Sequence, residues 1–178
     1  MIYLCEREIG FDATEIGFPS VMGCRAIVLV TAGGLFGYHL NGTLNAQKLT
    51  AFINFVNTHP KGRGHPRRRL YVACSGVGMP QDYQELGQIA AKLGYAMPIY
   101  WAPLPVGYSS FVHFQNIGNN TCAITSRLWD DRTDSAAGNK VNYANANRTI
   151  DRGAAPRQMY ENVSLTGLVA CYPNKISA

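Results

Sequence analysis

The chain has 178 residues, 47% of them hydrophobic, and a formal net charge of +5. That composition suits one compact domain spanning 1–178 and leaves too little apolar mass for two comfortable cores. No apolar run approaches the ~18 residues of a membrane helix, and the start Met-Ile-Tyr-Leu-Cys-Glu-Arg lacks the layout of a signal peptide. The expectation is a soluble protein without membrane contact, cytoplasmic in the cell that makes it.

In chain order, a strand is expected over residues 2–8, then a loop rich in glycine and turn residues. Residues 25–31 and 35–40 are predicted to pair as an antiparallel hairpin around Ala32-Gly33-Gly34. From 44 to 56 the apolar residues Leu49, Phe52, Ile53 and Val56 recur at helical spacing, with Asn41 or Thr43 as cap and His59-Pro60 as stop. A basic loop, 61–69, precedes a short strand at 70–75. A second helix is predicted over 81–93, with Leu86, Ile89, Ala90 and Leu93 on one face and Gly94 closing it. Strands at 97–101, 110–114 and 122–128 follow, the last two joined by an Asn-rich turn. From 130 to 157 the chain turns polar and reads as a surface excursion with mobility of its own. Residues 160–171 restore alternation. The fold class is α+β (mixed α/β), a β-sandwich-like mixed sheet core flanked by helices.

Two residues of the hairpin carry chemistry. Cys24 stands just before the first strand and His39 near the end of the second, so antiparallel pairing brings a thiol and an imidazole to one sheet end. An unperturbed thiol is only a few per cent ionised at neutral pH, and a neighbouring imidazolium raises that fraction. Gly23 permits a tight turn that would aim backbone amides at a developing oxyanion, and it leaves room beside the sulfur. Ser20, Tyr38 and Asn41 flank the pair as weaker pocket-lining candidates. For Tyr38, strand alternation leaves open a place in the core instead.

The stretch from Ser20 to Gly42, with Gly23-Cys24, an apolar strand, a glycine turn and an aromatic-rich strand ending in His39-Leu-Asn-Gly, resembles the catalytic hairpin of the bacterial cysteine-dependent glutamine deamidases. These include the cytotoxic necrotizing factor catalytic domain, the lethal-factor deamidase that acts on a translation initiation factor, and the chemoreceptor deamidases. Met22 stands where that family often has serine, and Phe18 where some members have threonine. The resemblance implies Cys24 as nucleophile and His39 as its base, with a third member supplied by a backbone carbonyl from residues 2–8, or more weakly by Ser20 or Thr14. It also implies a target protein carrying a reactive glutamine, and an effector or toxin delivered to a target cell by a specialised secretion system. Transglutamination and peptide cleavage remain open to the same pair.

Five cysteines at wide, uneven spacing, without a CxxC, argue for reduced thiols, and the four histidines stand in no zinc-ligand spacing with them. No metal and no cofactor are expected. The rival reading is a basic binding module in which the cluster at 61–69 contacts nucleic acid or an acidic protein surface without catalysis. The cluster lacks interleaved aromatics for base stacking, which disfavours nucleic acid. Oligomeric state is not legible.

Overall fold

The computed structural model describes residues 1–75, 80–94, 97–134, 147–151 and 163–176. Two sheets stack face to face, and two helices cover the outer face of the larger one. The small sheet has five strands in the order β1 (Ile2–Tyr3), β3 (Glu15–Val21), β8 (Ser110–Gly118), β9 (Thr121–Leu128) and β11 (Val169–Cys171). The large sheet has seven: β10 (Arg148–Ile150), β2 (Glu8–Asp12), β5 (Gly34–Asn41), β4 (Cys24–Thr31), β6 (Arg67–Ser75), β7 (Ile99–Leu104) and β12 (Asn174–Lys175). Helices α1 (Ala46–Thr58) and α2 (Pro80–Lys92) complete the fold. A mixed α+β fold with a sheet core is what the order of apolar patterns predicted.

Layering explains the composition of the central hairpin. From Ala26 to Val30 no residue of β4 is more than 1% exposed, because each face meets a different core. Ile27 and Leu29 join Phe36, Tyr38, Leu40, Phe52, Val56, Leu86 and Ile89 beneath the helices. Ala26, Val28 and Val30 join Leu35, Phe18, Val112, Phe114 and Ile124 between the sheets. Helix α1 presents Phe52 and Val56 to the sheet, both fully buried, each contributing about 2 kcal/mol of apolar burial. Its cap is Asn45, whose side chain accepts from the Lys48 amide, rather than the expected Asn41 or Thr43. The strand–helix–strand unit is present, with β6 and β7 parallel.

Four expectations need correcting. The N-terminal strand is two strands in different sheets: β1 lies parallel to β3, and β2 lies antiparallel to β5. Residues 4–7 cross between them, and the expected loop after residue 8 is itself β2 and β3. Arg67, Arg68 and Arg69 open β6 rather than closing a loop. The polar stretch at 130–157 supplies β10, which pairs with β2 at the edge of the large sheet. Residues 135–146 and 152–157, to which mobility was ascribed, lie outside the described residues. Local patterning missed these pairings because their partners are distant in sequence.

Candidate active site

The hairpin pairs as expected, over Cys24–Thr31 and Gly34–Asn41, with Cys24 opposite Asn41 and Ala26 opposite His39. Cys24 and His39 are therefore diagonal neighbours on one face, a spacing of about 7 Å that long side chains span. That face looks into the gap between the sheets, at the end where the chain changes sheet twice. One crossing is residues 4–7. The other is Met22-Gly23, which links β3 to β4.

Gly23 adopts φ +66°, and a Cβ there would meet nothing within 4 Å. Its role is backbone conformation, not room beside the sulfur. A backbone hydrogen bond from Met22 favours the Cys24 thiolate.

His39 is fully buried. Its Nδ1 lies 2.8 Å from the Leu4 carbonyl oxygen, within the 2–8 segment from which the resemblance implies a backbone partner. A carbonyl can only accept, so Nδ1 carries the proton and Nε2 holds the lone pair. Nε2 has no hydrogen-bond partner among the described residues. The ring packs edge-on to Phe18 at 5.9 Å, and burial pushes the imidazole pKa down, so at neutral pH it is an uncharged base.

Cys24 is 3% exposed. It donates to Glu6 Oε1 at 3.5 Å and stands 3.9 Å from Asn41 Oδ1, while Asn41 Nδ2 donates to Glu6 Oε2 at 3.2 Å. Burial and the Glu6 carboxylate push the thiol from its ordinary 9.0 up to about 12. The resting pair is thus a neutral thiol beside a neutral imidazole, where the sequence led to the expectation of a thiolate stabilised by imidazolium. Solvent reaches this thiol less than a bare ribbon end would allow, with the half-buried Glu6 and Asn41 as its polar neighbours.

The surrounding elements hold these groups tightly. The Leu4 amide donates to Gly17 O at 2.8 Å, and the Arg7 amide donates to His39 O at 2.8 Å, so the crossing segment is anchored on both sides of Glu6. Arg7 has φ +73°, a left-handed conformation that costs a non-glycine residue about 1 kcal/mol. Its guanidinium pairs with Asp151, which also accepts from Tyr38 Oη. Lys48 of α1 donates to the Asn41 and Thr43 carbonyls, fixing the end of β5. Arg25 pairs with Glu85 of α2.

The weaker candidates are placed as follows. Asn41 belongs to the cluster. Tyr38 does not: alternation turns it to the opposite face of the sheet, where it stacks on Phe52, so it lines no pocket at Cys24. Ser20, at φ +56°, bonds Ser109 across to the start of β8, and no bond joins it to the pair. Thr14 is exposed and bonds Asp12, near the far end of the hairpin. The basic cluster also lies toward that far end, since Thr31 pairs with Arg67. There Arg67 bonds Asn57 and Arg69 covers the Tyr100 ring.

Glu6 is the residue sequence reading missed. Its only signal in the sequence is a place within residues 2–8, the segment from which the resemblance implies a backbone carbonyl. Among the described residues no cluster of three or more His, Cys, Asp or Glu side chains is arranged to hold a metal ion, and no helix is long and apolar enough to cross a membrane. No protein-family model matches the chain, and no curated protein matches it.

Proposed function

We propose that the protein is a cysteine hydrolase that deamidates a glutamine side chain of a target protein, with Cys24 as nucleophile and His39 as its base. The observation that carries this reading is the anchoring of His39 Nδ1 on the Leu4 carbonyl, which leaves an unpartnered basic Nε2 on the sheet face it shares with Cys24. A backbone carbonyl in that role is what the deamidase resemblance implies.

Because both groups rest uncharged, proton transfer accompanies attack. The thiol gives its proton to Nε2 as sulfur bonds to the carboxamide carbon, and backbone N–H groups of the Gly23-Cys24 turn would stabilise the oxyanion that develops. The imidazolium then protonates the departing ammonia, and a thioester remains. Water, deprotonated by Nε2, cleaves the thioester and leaves a glutamate on the target. As an effector or toxin, such an enzyme would disable its target by replacing a neutral amide with a carboxylate.

The test is proteome-wide. Lysates of candidate target cells are incubated with wild-type protein, Cys24→Ala or His39→Gln, and glutamines converted to glutamate are mapped by mass spectrometry. Conversion at defined sites by the wild type and none by Cys24→Ala is expected, with His39→Gln slower by at least about a hundredfold. New peptide ends or amine adducts would assign proteolysis or transglutamination instead. Identical maps for wild type and Cys24→Ala would sink the hydrolase reading.

A further inference from the structure

The contact between Glu6 and Cys24 has a chemical meaning if the thiol acts on glutamine. Glutamate is what glutamine becomes on deamidation, and the resting chain holds a glutamate carboxylate against the proposed nucleophile. One carboxylate oxygen takes the thiol hydrogen bond at 3.5 Å, and the other is held by Asn41 Nδ2 at 3.2 Å. Asn41 Oδ1 lies on the same sulfur at 3.9 Å. A carboxamide in that place would find a donor for its oxygen in Asn41 Nδ2, an acceptor for its NH2 in Asn41 Oδ1, and the sulfur beside its carbon. A carboxylate uses only the donor.

We propose that Glu6 marks the carboxamide subsite of Cys24, that Asn41 is the residue that reads the amide there, and that Glu6 fills the subsite in cis in the resting protein. The inference rests on the deamidase reading and deepens it. Three observations support it besides the contacts. The backbone on either side of Glu6 is anchored, through Leu4 to Gly17 and His39 and through Arg7 to His39. A rotation of the Glu6 side chain therefore empties the subsite without unfolding the crossing segment. Exposure falls from the half-buried Glu6 and Asn41 to Cys24 at 3% and His39 at 0%, the order an incoming side chain would meet them. Asn41 is itself held by Lys48 through its backbone carbonyl, so the main chain that carries its amide is fixed.

The chain can be made its own substrate. In Glu6→Gln the carboxamide at position 6 would stand where the carboxylate stands now. Sulfur adds to the carboxamide carbon, the carbon–nitrogen bond breaks as ammonia leaves with a proton from His39, and water then breaks the carbon–sulfur bond. The net reaction consumes one water and releases one ammonia. The tryptic peptide of residues 1–7 isolates the position.

Expected is first-order conversion of residue 6 to glutamate, with a rate independent of protein concentration and absent when Cys24→Ala is added. Glu6→Ala, read by iodoacetamide labelling of Cys24, should react at least about tenfold faster than wild type at fixed pH, as removal of a carboxylate from beside a thiol lowers its pKa. A residue 6 that remains glutamine in protein with wild-type circular dichroism and melting overturns the proposal, as does an unchanged labelling rate in Glu6→Ala. If lysate glutamines are still converted by the wild type, only the subsite assignment falls. If they are not, the deamidase reading falls separately.

Discussion

The resting thiol should be among the least reactive in the chain, and the size of the effect follows from its surroundings. Burial and the facing Glu6 carboxylate move Cys24 from 9.0 to about 12. Three pK units lower the thiolate population about a thousandfold at any pH well below both values, and alkylation requires the thiolate. At 3% exposure the reagent also reaches the sulfur poorly, which slows labelling further. The assay is timed labelling of native protein with iodoacetamide between pH 7 and 10, quenched and digested with trypsin. Residues 8–25 form one peptide in which Cys24 is the only cysteine. The rate should sit at least about a thousandfold below that of a free cysteine derivative at pH 7.4 and still be rising in proportion to hydroxide at pH 10. A Cys24 rate within tenfold of the free thiol, or one that levels off below pH 9, would refute the account of a thiol held neutral by burial and Glu6.

The same shifts predict how stability depends on alkalinity. Burial raises Cys24 and Cys122 alike to about 12, so the unfolded chain ionises first. Their stabilisation is complete below pH 9 and is lost as pH climbs from 9 toward 12, at about 1.4 kcal/mol per thiol at pH 10. Urea midpoints at pH 8 and pH 10 should differ accordingly, with a smaller difference in Cys122→Ala, and equal differences would contradict it. Asp151→Ala removes the acceptor of both Arg7 Nε and Tyr38 Oη and leaves a buried guanidinium without that partner. Chemical denaturation should show a loss of about 3–5 kcal/mol, and a loss under 1 kcal/mol would mean that the network bears little of the fold's stability.

How far the site could be read from residues alone depends on how local each contact is. The hairpin was legible because strand alternation and a two-glycine turn specify antiparallel pairing over a short loop, and that pairing alone puts Cys24 and His39 on one face. Helices α1 and α2 were legible to within a few residues from the spacing of Phe52, Val56, Leu86 and Ile89. Which face of the hairpin meets which core was not: alternation gives Tyr38 and His39 opposite faces, yet assigns neither to helices or to sheet. Only the stacked small sheet decides that His39 looks into the gap and Tyr38 under α1.

Sequence by itself therefore determined that a thiol and an imidazole share one end of a β-ribbon. The tertiary structure decided their state. Residues 4–7 cross from one sheet to the other, which brings the Leu4 carbonyl to His39 Nδ1 and the Glu6 carboxylate to Cys24, contacts spanning 35 and 18 residues. No periodicity encodes such a crossing, because its position depends on which strands pair across the whole chain. Burial between the two sheets then leaves both groups uncharged, since charge is expensive where water is excluded.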